Sequence, residues 1–80
     1  MQIHTPSYRH CVAAIGGMTG AVKARHALLS ASISSEIVAL SPQETRKGCA
    51  YGVEFPCESY HAVREILRHA RITVSEYLER

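Results

Sequence analysis

Ser41-Pro42-Gln43-Glu44-Thr45-Arg46-Lys47-Gly48-Cys49-Ala50-Tyr51-Gly52-Val53-Glu54-Phe55-Pro56 passes from a polar segment into a segment with a period of two. The first half, residues 41–48, holds both Pro and Gly and reads as a loop. In the second half Tyr51, Val53 and Phe55 alternate with Ala50, Gly52 and Glu54, the period of a half-buried strand, and Pro56 closes it. Upstream, Ile33 to Leu40 supplies Ile33, Ile37, Val38 and Leu40, so a strand is expected to precede the loop as another follows it.

Outward from this pair of strands the chain has a helix on each side. Tyr8 to Ile15 is apolar and β-compatible and reads as a first strand, ended by Gly16-Gly17-Met18-Thr19-Gly20 with Thr19 as the expected N-cap. Ala21, Ala24, Leu28 and Ala31 then recur at helical spacing. That helix is expected to stop near Ser30 to Ser32, where no glycine marks the end. Downstream, Val63, Ile66, Leu67 and Ala70 fall at i, i+3, i+4 and i+7, one face of a second helix spanning roughly 58 to 70. Ile72 to Leu78 finishes as a strand of period two. No internal repeat and no low-complexity tract is apparent.

The order β-α-β-β-α-β, with right-handed crossovers and short connections, predicts an α+β fold: a ferredoxin-like sandwich of four antiparallel strands with both helices on one face. At 80 residues the chain has room for one domain, here residues 1–80 with an ordered core of about 8–78. In this topology strands 1 and 2 run the same way with strand 3 antiparallel between them. The Gly16 to Gly20 turn and Arg46-Lys47-Gly48-Cys49 are then expected at one end of the molecule, and Cys57 at the other.

Composition narrows the function classes. Nine Lys+Arg against seven Asp+Glu give a net charge of +2, too little to point to nucleic acid. Arg64, Arg68 and Arg71 at helical spacing read as a solvated face before they read as a phosphate contact. No apolar run approaches the roughly 18 residues of a membrane span, so no membrane partner is expected. The start Met1-Gln2-Ile3-His4-Thr5-Pro6 lacks the pattern of a signal peptide, and a cytoplasmic location is expected. His61 and His69 stand about 12 Å apart along a helix, too far to share a metal; neither a metal nor a cofactor is expected.

The three cysteines, an odd number without a CxxC, do not read as a disulfide framework. Cys11, inside strand 1, reads as a small buried hydrophobe. Cys57, just before helix 2, reads either as a partly buried residue or as a thiol activated by the helix N-terminus. Cys49 differs in its surroundings. It follows Arg46, Lys47 and Gly48 at the mouth of a strand, facing the expected N-terminus of helix 1. Positive charge and free N–H groups there favour an exposed thiolate that can attack or carry a persulfide. Gly48 lets the backbone approach a ligand. The Gly17-Met18-Thr19-Gly20 turn reads either as a tight strand-to-helix connection or as a cradle for a small anion, without the Walker lysine or dinucleotide spacing.

The helix Ala-x-x-Ala-x-x-x-Leu and the run Ser-Pro-x-x-Thr-Arg-Lys-Gly-Cys-Ala-Tyr-Gly-Val-Glu-Phe, in a chain of this length and order, resemble the DUF3343 family of selenium/sulfur carrier protein-like domains. The resemblance runs from about Tyr8 to Tyr77. It implies that Cys49 holds sulfur or selenium, as a persulfide or selenopersulfide, for delivery to a partner. A desulfurase is implied on the donor side or a selenophosphate-making enzyme on the acceptor side. Family members often carry Ser-Thr-His-like residues before helix 1, where this chain has Gly17-Met18-Thr19, and only Thr19 carries over. The carrier reading describes a protein without turnover of its own. The alternatives are a protein-interaction module, self-associating through edge strands and an uncovered sheet face, or an anion-binding regulatory module using the glycine turn.

Overall fold

The computed structural model describes residues 9–46 and 48–80. Lys47 and the polar start, including Tyr8 at the expected head of the first strand, lie outside the described residues. The elements are β1 (His10–Gly16), α1 (Met18–Ser30), β2 (Glu36–Ala39), β3 (Tyr51–Pro56), a 3-10 turn (Cys57–Ser59), α2 (Tyr60–His69) and β4 (Glu76–Glu79). The four strands form one sheet in the order β2-β3-β1-β4, and each neighbouring pair is antiparallel. This is the ferredoxin-like α+β arrangement.

Alternation along the strands splits the buried residues between two sheet faces. Ala13, Val53 and Phe55 pack with Ala24 and Leu28 of α1 and with Val63 and Leu67 of α2. Small residues on α1, Ala21 and Ala24, are fully buried and let the helix sit close to the sheet. The neighbouring positions Val12 and Ala14 face the other way and pack with Leu40 and Cys49. They are as buried as the helix-side residues, so the face without helices is not left open at its centre. The connection from β2 to β3 lies over it, with Leu40 and Cys49 at its two ends. Of the two features behind the interaction-module expectation, the edge strands β2 and β4 are present, while the sheet face expected to be uncovered has its centre covered by the chain's own loop.

That loop is held by polar contacts. Leu40 donates its N–H to the Ala50 carbonyl at 2.8 Å, which draws the loop ends together. Ser41-Pro42-Gln43-Glu44 closes as a turn, with the Glu44 N–H on the Ser41 carbonyl at 3.0 Å. The Glu44 carboxylate in return accepts the Ser41 N–H at 2.7 Å. The Arg80 guanidinium lies 3.1 Å from Glu44 and 3.5 Å from Glu54, tying loop to sheet.

Three expected boundaries move, each for a local reason. Helix α1 begins at Met18 with Gly17 as its N-cap, and no side chain caps it; Thr19 is inside the helix. Gly16, at φ 127°, makes the reversal out of β1 in a conformation that an L side chain rarely adopts, so the helix starts earlier than a threonine cap would allow. Residues 33–35 and 72–75, expected as strand, are instead helix terminators. Ser32 at φ 63° and Arg71 at φ 60° reverse the chain. Ile33 and Ile72 then donate their N–H groups to the carbonyls of Leu28 and Leu67, five residues back and at 2.9 Å in each case. Ser32 and Arg71 donate to Leu29 and Arg68, completing a Schellman ending at both helices. The apolar Ile thus seals a helix end on the core, and pairing starts only at Glu36 and Glu76. Leu28-x-x-Ala31-x-Ile33 and Leu67-x-x-Ala70-x-Ile72 are the same motif used twice.

Candidate functional site

The strand register assembles one end of the sheet from distant parts of the chain. Gly16 pairs with Tyr51 across a bulge, and Ala14 pairs with Glu76. The Gly16-Gly17 turn, the residues before β3 and the residues before β4 therefore share that end. Ser75 is anchored there by its N–H on the Ala14 carbonyl at 2.8 Å.

Cys49 turns inward at this end. Gly48, exposed and at φ 69°, reverses the chain just before it. Cys49 is only 8% exposed, packed against Val12, Ala14 and Leu40. Its Sγ lies 3.0 Å from Ser75 Oγ, and either atom can donate. This replaces the expected exposed thiol with a covered one. The reason is tertiary: a central sheet face of Val12 and Ala14 has no helix to cover it, and Cys49 and Leu40 are the apolar side chains the loop supplies.

The other site residues distribute themselves around this thiol. Arg46 is exposed, and its backbone N–H donates to the Glu76 carboxylate at 2.9 Å. Among the described residues its guanidinium makes no ion pair. Thr45 is buried and its hydroxyl has no hydrogen-bond partner among the described residues. Thr45, Arg46, Ser75 and Glu76 line a cleft beside the loop. The Glu44 carboxyl is held below its ordinary value by the Ser41 backbone N–H first, with Arg80 contributing. Lys47 lies outside the described residues.

The glycine turn joins the same end of the sheet but the other face. Gly17, Met18 and Thr19 are exposed and Gly20 is half-buried at the start of α1, which packs on the helix side. The packing neighbours of Cys49 are Val12, Ala14 and Leu40 on the opposite side, so the expected pairing of thiol with helix N-terminus is not formed.

Sequence reading missed two features. Ser75 reads from the sequence only as part of a strand, because nothing local marks it as the partner of Cys49. Cys11 and Cys57 form a disulfide with Cα atoms 4.9 Å apart, and Cys11 is half-buried in it rather than an inert core residue. No local signal marks the bridge; it follows from the strand register, in which Cys11 pairs with Phe55 and Cys57 stands two residues beyond on the same face. The bridge lies at the end of β3 opposite Cys49, which is free. Among the described residues no three His, Cys, Asp or Glu side chains gather where a metal ion would be held, and His61 and His69 are exposed. No helix among the described residues is long and apolar enough to cross a membrane.

No curated protein and no solved structure matches the chain. A family model does, over residues 10–79, from the first residue of β1 to the last of β4. That family is described as "Putative Se/S carrier protein-like", and the chain belongs to it.

Proposed function

We propose that Cys49 is the chalcogen-carrying thiol, taking up sulfur or selenium from a donor protein and passing it to an acceptor. The observation that carries this reading is the covered Cys49 thiol set 3.0 Å from the Ser75 hydroxyl, in a family whose description is of selenium or sulfur carriage. In the loading step the Cys49 thiolate attacks the outer sulfur of a donor persulfide. The donor S–S bond breaks, the donor leaves as thiolate, and a Cys49 persulfide remains. Delivery is the same exchange in reverse, onto an acceptor nucleophile; selenium follows the same electron count.

Each neighbour has a part in this scheme. Ser75 Oγ–H donates to the carried anion, and the exposed Arg46 guanidinium draws an anionic donor or an acidic partner surface. Lys47 adds charge beside it, and Gly48 gives the backbone close approach. The Gly17-Met18-Thr19-Gly20 turn serves as a partner-facing anion contact at the same sheet end. Packing by Leu40 and Val12 shields the loaded persulfide from bulk thiols until the loop is displaced by a partner. A desulfurase fits as donor and a selenophosphate-making enzyme as acceptor.

Intact-protein mass spectrometry after incubation with a persulfide or selenopersulfide donor tests the reading. Wild type, Cys49→Ser, Cys57→Ser and Ser75→Ala are run side by side. A gain of one chalcogen atom that disappears only in Cys49→Ser, and is less long-lived in Ser75→Ala, is the expected result. No adduct on Cys49 under conditions that load a free thiol control overturns the carrier role and leaves an interaction module as the better account.

A further inference from the structure

We propose that Cys11 and Cys57 are a second thiol centre, a disulfide–dithiol couple that exchanges with small thiols in the folded protein and works independently of Cys49. Three observations carry it. The antiparallel register puts Cys57 two residues past the partner of Cys11 on the same face, and the Cα separation of 4.9 Å lies in the range a bridge requires. Both cysteines are half-buried rather than sealed, and they line a surface groove with Tyr60, Tyr77 and Leu78. The Arg9–Glu79 ion pair stands at the rim of that groove.

The two sulfurs are not equivalent. Cys11 lies on β1, which is hydrogen-bonded to β3 on one side and β4 on the other, so its backbone is held by two ladders. Cys57 stands beyond Pro56, the last paired residue of β3, at the start of the 3-10 turn, and is held on one side only, by its N–H on the Arg9 carbonyl at 3.0 Å. Cys57 is therefore the member that moves to take a mixed disulfide, and Cys11 the one that stays in place to resolve it. In the reducing direction a thiolate attacks Cys57 Sγ, the bond to Cys11 Sγ breaks, and Cys11 leaves as thiolate. A second equivalent of thiol then attacks the mixed disulfide, releasing the oxidised thiol dimer and the Cys57 thiolate. Two thiols are oxidised and one protein disulfide is reduced, so atoms and electrons balance. An accessible bridge in a groove belongs to the labile class of disulfides, in contrast to one sealed in a core.

Glutathione, reduced and oxidised, is the probe. The full chain and its Cys49→Ser variant are equilibrated in glutathione buffers, alkylated and counted by mass, and the reduction rate is followed at several urea concentrations. The expected result is a two-electron transition that is the same in both proteins and whose rate is nearly flat in low urea. Cys11→Ser is expected to trap one glutathionyl group on Cys57 at least about tenfold faster than Cys57→Ser traps one on Cys11. Two results overturn the proposal. One is reduction that proceeds only through unfolding, accelerating about fivefold or more per molar urea. The other is a protein that keeps three free thiols in oxidised glutathione. Neither depends on whether Cys49 loads a chalcogen.

Discussion

Gly52→Ala tests whether the loop face of the sheet is packed as tightly as the helix face. A Cβ on Gly52 would stand 2.5 Å from the Ala13 carbonyl oxygen, 3.0 Å from Val12 Cγ1 and 3.2 Å from Leu40 Cδ1. The last two are side-chain atoms that can turn away. The first belongs to the neighbouring central strand, and a carbon–oxygen contact relaxes only near 3.3 Å. β1 and β3 must therefore part by about 0.8 Å beside the bulge at Ala14/Gly16. Overpacking of this kind costs about 1–3 kcal/mol, and a weakened ladder hydrogen bond adds about 1 kcal/mol. Removing a glycine from the unfolded chain returns about 0.4–1 kcal/mol. The net loss is about 1–3.5 kcal/mol, centred a little above 2 kcal/mol, against a total near 4–12 kcal/mol for a domain of this size. That lowers Tm by roughly 10–20 °C.

Urea denaturation at fixed redox state measures the loss, and a disulfide-exchange dye measures how fast Cys49 is labelled. Both should move, because Leu40 is displaced by the same Cβ that separates the strands. Gly20→Ala is the comparison: its Cβ meets only Ile15 Cγ2, at 2.8 Å, a branch methyl that has to shift within the core but parts no strands. Helix propensity favours alanine there by up to about 1 kcal/mol and offsets part of that clash, so the variant should lose less than Gly52→Ala. The reasoning fails if Gly52→Ala melts with wild type, or if Gly20→Ala costs more than Gly52→Ala.

Other outcomes follow from single contacts. Ser32→Gly and Arg71→Gly each relieve a left-handed residue at a helix end and should raise stability by about 1 kcal/mol, read as a shifted urea midpoint with unchanged slope. Burial, and then Tyr60, raise the Tyr77 phenol above its ordinary 10.0, against a smaller opposing effect of Arg64. Its contribution to stability is present below the unfolded value and is lost as pH rises through the folded one. The urea midpoint should fall as pH rises above about 10, and by less in Tyr77→Phe. Glu44 has the opposite sign: its carboxyl is lowered from 4.5, so its contribution holds above that value and is lost as acid protonates it. Cys49 labelling by an acid-active disulfide, normalised to free cysteine, should quicken below about pH 4.5, and Glu44→Gln should remove that pH dependence.

Local patterns in the sequence carried most of the architecture. The alternation of Tyr51, Val53 and Phe55 marks β3 because side chains on a strand alternate between faces without help from the rest of the chain. Ala21, Ala24 and Leu28 mark the buried side of α1 for the equivalent helical reason, and all three are buried. The helix ends were written locally too, as Leu-x-x-Ala-x-Ile at residues 28–33 and 67–72. They were obscured because Ser32 and Arg71 occupy positions where glycine would be the usual signal. Counting the isoleucines as strand lengthens β2 and β4 beyond Glu36–Ala39 and Glu76–Glu79.

The thiols divide along the same line. Cys49, before β3 in a polar loop, was legible by chain position, and so was its separation from Cys57 along the strand. Its burial, its contact with Ser75 26 residues away and the bridge between Cys11 and Cys57 were not. Periodicity and turn chemistry act over a few residues, so sequence alone determined which segments become strands and helices and in what order. Register and loop docking are sums over contacts between distant segments. Only the tertiary structure decided that Phe55 stands opposite Cys11, placing Cys57 within reach of it, and that the loop lies down on Val12 and Ala14 rather than standing off in water.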